Sequence, residues 1–222
     1  QQLKSLFPAQ MEFDRMINNH GKVDWETIKV SGETDQISTI KEIEFTGDKG
    51  IKLADVYNSN ADIESFIAQL DDHLLACLSQ GEGMNSPKVR AGTGGAMGGL
   101  TQELQDFGIP AICVTDGPSG LRFDNGDSAT SLPNGTLLAC TWNKELTQKL
   151  YSYEGMEAYA QRVDGVLGPG INIHRYPLCG RNFEYLSEDP YLTGVIAQGI
   201  CAGLDEAGVS ATIKQFAANN RE

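Results

Sequence analysis

The sequence predicts an α/β protein built from βα units, the opening of either a parallel barrel or a doubly wound sheet. Two observations predict it. Apolar runs at Ile109–Val114, Val163–Leu167 and Val209–Phe216 read as buried strands, and stretches of helical periodicity separate them. The first two runs lead into charged, turn-rich segments, Asp116-Gly-Pro-Ser-Gly-Leu-Arg122 and Gly180-Arg-Asn-Phe-Glu-Tyr-Leu-Ser-Glu-Asp-Pro190. Charge at the C-terminal ends of parallel strands is where α/β barrels build their sites.

Residues 1–49 read as a short β segment distinct from residues 50–222. Alternation at Ile28–Val30 and Ile40–Phe45, either side of Ser-Gly-Glu-Thr-Asp, predicts two short strands and a turn. The segment is too small for its own core. It is expected to be the tail of a preceding β-sandwich or a strand pair packed on the barrel.

The spacing of Ile63, Phe66, Ile67, Leu70, Leu74, Leu75 and Leu78 predicts a helix over 61–79. Residues 81–99 are rich in glycine and read as a loop, free or bordering a pocket. The dinucleotide pattern G-x-G-x-x-G fails there, because Met97 takes the last place and no strand precedes it. A nucleotide-dependent enzyme is therefore the weakest of the candidate functions.

Ile109–Val114 opens the alternation. Thr141 is placed to cap a helix over Trp142–Arg162, with Leu146, Leu150, Tyr153 and Ala160 on its apolar face. After Val163–Leu167, Ser187 or Asp189 caps the next helix, with Pro190 near its first position. Ile196, Ile200 and Leu204 line that helix and Gly208 ends it. Three strands do not close an eight-stranded barrel, and folded proteins avoid an open apolar edge such as the one after Phe216. The chain is thus expected to be a piece, completed by later sequence or by another chain.

Composition bounds the function. A net charge of −13 disfavours nucleic acid and anionic membranes as partners. No apolar run is long enough to span a bilayer. No signal peptide is visible in Gln1–Pro8. Gln is not a natural first residue, so a leader ahead of it stays open. Cys77, Cys113, Cys140, Cys179 and Cys201 are odd in number and scattered, without the spacing of a zinc site. Cys113 and Cys140 read as small core residues. A reducing, cytoplasmic setting is expected, with neither metal nor cofactor.

The candidate site residues each have two readings. Asp116 is either a carboxylate for the hydroxyls of a neutral polyol or a turn Asp bonding its own backbone. Arg122 is either a ligand or a surface cation. Arg181, between Gly180 and an aromatic run, is unlike an ordinary surface residue. Glu184 reads as a brace for Arg181 or Arg175. Glu188 and Asp189 suit a helix N-terminus. Lys214 within a strand needs a partner or a ligand. His174 reads as a structural hydrogen-bonder, and His20 and His73 as surface residues. Asn134-Gly-Thr136 matches a glycosylation sequon, a triplet frequent by chance.

Residues 109–122 and 163–190 resemble the barrel domain of glycoside hydrolase family 3, the β-glucosidase family. Ile213-Lys-Gln-Phe-Ala-Ala-Asn-Asn-Arg-Glu222 resembles its next signature, which usually carries Lys-His. The resemblance covers roughly residues 50–222. It implies part of a (β/α)8 TIM-like barrel, three βα units long, preceded by the short β segment, in a family some of whose members carry a β-sandwich ahead of the barrel. It implies a retaining exo-glycosidase acting on terminal β-linked sugars. Asp116, Arg122, Arg181, Lys214 and Gln215 would bind the sugar. Gln215 stands where the family has His, and an amide does not become a cation near neutral pH. The family's nucleophile, an Asp in a Ser/Thr-Asp-Trp context, has no match here. Both catalytic carboxylates are therefore expected outside these residues. A sugar-binding relative without catalysis, or an inactive fragment of such an enzyme, is the alternative.

Overall fold

In a computed structural model the described residues are 10–19, 22–31, 42–215 and 219. The chain divides into two compact units, Gln1–Glu44 and Phe45–Glu222. His20 and the start of the Ile40–Phe45 segment lie outside the described residues.

In the first unit, β1 (Gln10–Asn19) pairs antiparallel with β2 (Lys22–Ser31), from Asn19 opposite Lys22 to Gln10 opposite Ser31. Ile28–Val30 is therefore in a strand, but its partner lies upstream. The expected strand ending at Phe45 is not one, since residues 42–50 carry no regular structure.

The second unit begins with α1 (Leu53–Tyr57), α2 (Ile63–Ile67) and α3 (Asp72–Ser79). The single helix expected over 61–79 is thus two. The break has a cause: Asp71 accepts from the Leu74 N–H and caps α3. Gln69, buried at the break, accepts from the Lys49 and Ile51 N–H groups. Phe66 and Leu70 pack with Leu104, Phe107 and Ile109 in a core cluster, with Phe66 edge-on to Phe107 at 6.4 Å.

The glycine-rich segment is no free loop. Gly95–Gly98 forms β3, antiparallel to β4 (Ala111–Asp116), with Gly95 opposite Val114. Between them runs α4 (Gln102–Asp106), capped by Thr101. β5 (Gly165–Leu167) runs parallel to β4, and β6 (Ser210–Ala211) parallel to β5, giving the sheet order β3-β4-β5-β6. The parallel order is as expected, but β6 is two residues long where Val209–Phe216 reads as one strand, and the antiparallel β3 is not foreseen by the sequence reading.

Two long helices cover the sheet: α6 (Lys144–Ala160) and α7 (Pro190–Glu206), after the short α5 (Gly135–Cys140). Asp189 caps α7 by accepting from the Leu192 N–H at 2.7 Å, and Pro190 opens it. Gly208 follows the helix end with φ of +76°. Ile196, Ile200 and Leu204 are buried, as their spacing requires.

α6 departs from expectation. Asn143 caps it by accepting from Leu146, whereas Thr141 ends α5 and donates to the Leu138 carbonyl. Its buried face is Thr147, Tyr151, Glu154, Gly155 and Ala158, and Leu146 and Tyr153 are exposed. Close packing on α7 decides this. A Cβ on Gly203 of α7 would stand 2.3 Å from the Gln148 carbonyl oxygen, so that side of α6 faces inward. Cys113 is buried but Cys140 is exposed, contrary to its expected core place. Asn134 accepts from Leu137 and caps α5.

Candidate functional site

The C-terminal ends of β4 and β5 and the segment after β6 bring four charged side chains together. Asp116 is the last residue of β4, opposite Leu167 of β5. Lys214 follows β6 and bridges Gly170, its N–H donating to the Pro169 carbonyl at 3.0 Å. Its ammonium donates to Asp116 Oδ1 at 2.7 Å and lies 3.1 Å from Glu184 Oε2. Arg181 precedes a short 3₁₀ turn, Asn182–Glu184, and its Nε donates to Glu184 Oε1.

Burial ranks these groups. The Glu184 side chain is 1% exposed, Lys214 19%, Arg181 31% and Asp116 42%. A buried carboxylate needs cations on both oxygens, and Glu184 has them. It is consumed as a brace, while Asp116 keeps an edge open to solvent. The Asp116 carboxylate and the Arg181 guanidinium are thereby linked in one chain of charges through Lys214 and Glu184.

Gln215 is the next residue on the strand extension. With its amide oxygen turned to Arg181, that oxygen lies 2.8 Å from Nη1 and Nη2 and 3.0 Å from Nε, and its nitrogen faces the Tyr185 hydroxyl. This orientation sets a negative end against a cation; the reverse would set an N–H against it. Asn219 also donates to the Tyr185 hydroxyl, at 2.7 Å, and exchanges hydrogen bonds with Asn172. Burial raises the Tyr185 phenol, keeping it a neutral hydroxyl.

Arg122 stands apart. Its side chain is 69% exposed and pairs with Asp124 at 3.0 Å, while its backbone N–H donates to the Asp116 carbonyl. The structure unites Asp116, Arg181, Lys214 and Gln215 but leaves the Arg122 side chain outside their ion-pair network. His174 Nε2 lies 3.0 Å from the Asn182 carbonyl, the structural role expected of it. His73 is exposed, with Nε2 3.7 Å from Cys77 Sγ. Tyr185, Asn172 and Asn219 were not singled out by sequence reasoning. The signal available was their position, at strand ends and turns beside charged motifs. Among the described residues no group of three or more His, Cys, Asp or Glu is placed to hold a metal ion. No helix among them is long and apolar enough to cross a membrane.

Comparison with known proteins follows the same lines. The β-glucosidase of Ruminococcus albus is 49% identical over 226 residues, covering 100% of this chain and 24% of the relative. The structure of a β-glucosidase from Paenibacillus barengoltzii superposes with a TM-score of 0.82 at 46% identity, over 95% of this chain and 24% of that one. β-Glucosidase 3B from Thermotoga neapolitana, solved in complex with α-D-glucose, superposes with a TM-score of 0.64 at 37% identity, over 73% of this chain and 24% of that one. The chain thus spans about a quarter of the length of these relatives. The glycosyl hydrolase family 3 N-terminal domain model matches residues 46–221. With a TIM-like α/β sheet whose strand ends carry this charged cluster, the chain belongs to glycoside hydrolase family 3.

Proposed function

We propose that this chain supplies the sugar-holding part of a retaining β-glucosidase-like site that hydrolyses terminal β-linked sugars. The observation that carries the reading is the chain of ion pairs that runs from Asp116 through Lys214 to the buried brace Glu184 and on to Arg181. Asp116 offers acceptors to sugar hydroxyls, while Lys214 and Arg181 offer charged donors. Held this way, a pyranose has its anomeric carbon fixed for attack, and positioning of that kind lowers a barrier by several kcal/mol. Gln215 and Arg122 complete the proposed ligand set, Gln215 from beside Arg181 and Arg122 from the rim.

The two catalytic carboxylates come from elsewhere in this reading. A retaining enzyme needs a nucleophile and an acid roughly 5–5.5 Å apart. Glu184 is neutralised by two cations and walled off from solvent, which suits neither role. The remainder of the barrel, from the same gene product or another chain, would supply the nucleophile, and another domain or loop the acid/base. The five cysteines are all free thiols, which suits the cytoplasmic setting.

An aryl β-glucoside given to the intact gene product tests the proposal. Steady release of the aryl alcohol is expected, and the 222-residue polypeptide alone is expected to release none. Gln215, an amide at the family's His position, favours one second reading, a sugar binder without catalysis. Calorimetric sugar binding by the intact product with no turnover would establish it.

A further inference from the structure

Helix α6 carries a carboxyl that the proposed site does not use. Glu154 is 2% exposed, and neither of its oxygens finds a hydrogen-bond partner of good geometry among the described residues. It lies under the turn that follows Asp116. A Cβ on Gly117 would stand 3.1 Å from Glu154 Oε1, with Val166 Cγ1 and Leu121 Cδ2 bordering the same spot. The turn is fastened to α6 one helical turn away, where the Tyr151 hydroxyl donates to the Pro118 carbonyl at 2.7 Å. Ser119 Oγ, in the same turn, is also buried without a partner among the described residues.

We propose that Glu154 is a positioning residue for Asp116: its side chain, enclosed beneath the Gly117–Gly120 turn, sets where that turn and the Asp116 carboxylate stand. The inference rests on the sugar-binding reading only for its last link, from Asp116 to ligand. As a neutral acid, Glu154 fills the space that Gly117 leaves open. As an anion, it would have the Gly120 amide alone and would need water or a cation besides, which the closed turn admits only by moving. Burial, and then the charge of Glu157, push its carboxyl up to about 8, with the Gly120 amide pulling the other way. The titratable groups that bear on it are Tyr151 and Glu157 of its own helix, Glu157 being held by the Thr130 N–H and hydroxyl. Gly117, Gly120, Leu121 and Val166, which face it from the turn and from β5, carry no titratable side chain.

The test uses the intact gene product, the Glu154→Gln variant and, should that fold poorly, Glu154→Leu. Two readouts are followed from pH 6 to 9: hydrogen-exchange protection of the Gly120, Leu121 and Arg122 amides, and the dissociation constant for glucose by calorimetry. In the native protein protection and glucose affinity are each expected to fall by about tenfold, while the neutral variants keep both. Equal pH profiles in native and variant proteins overturn the proposal. Glucose binding that is absent throughout, with exchange responding as expected, removes the sugar reading and leaves Glu154 as the residue that sets the turn.

Discussion

At the scale of single residues, Lys214 is where fold and site meet. It offers one ammonium to two carboxylates, one buried and one partly open. Lys214→Met leaves Glu184 with Arg181 alone. Breaking a fully buried pair costs roughly 3–5 kcal/mol; with Arg181 still in place, roughly 2 kcal/mol is expected by urea unfolding. Sugar binding by calorimetry should be lost with it. Glu154 gives a second expectation. Its folded value, about 8, lies above the ordinary 4.5, so the folded state holds the proton more tightly than the unfolded chain does. Its contribution is therefore greatest below pH 4.5, shrinks as pH rises, and is gone above about 8. The full span is worth on the order of 5 kcal/mol. Glu154→Gln should remove that slope from stability measured between pH 5 and 8.5, with other carboxylates common to both proteins. Asp116, Arg181 and Lys214 were legible in the sequence as neighbours at successive strand ends, and the sugar-binding role proposed for them comes from the family resemblance of their segments. Glu154 was not, because a Glu in a helix reads as a solvated face until a neighbour closes over it.

At the scale of elements, α7 was legible in full, whereas α6 was legible in its span but not in its cap or its inward face. α7 announces itself through Asp189, Pro190 and an unbroken apolar stripe. α6 has apolar residues on both sides, and the side that faces inward is chosen by backbone approach. The deciding signal was in the sequence of the partner helix, as Gly199 and Gly203 four residues apart. Gly203→Ala should force the two helices apart, costing roughly 1–3 kcal/mol in thermal or urea unfolding. Asp189→Ala should cost about 1 kcal/mol through the lost cap, without altering sugar affinity. β3 was missed because glycines with no β-branched neighbours carry no strand propensity. Its pairing with β4 comes from tertiary context.

At the scale of the whole molecule, the division at Glu44 and Phe45 separates a hairpin from the α/β unit. The sequence reading put that border near residue 49 and chose the wrong partner for β2, since alternation marks a strand but not its neighbour. A two-stranded ribbon is marginal alone in water. A peptide of residues 10–31 is expected to give the circular dichroism of a largely unfolded chain. The parallel order β4-β5-β6 was legible because buried parallel strands are continuous apolar runs.

β3 has one more contact. On the flank away from β4, Ala96 exchanges both of its backbone hydrogen bonds with Glu82. That margin of the sheet is already stoppered by its own chain, whereas β6 has no such cover among the described residues. A strand that continues the parallel order β4-β5-β6 would enrol beside β6, the flank on which the sheet lengthens.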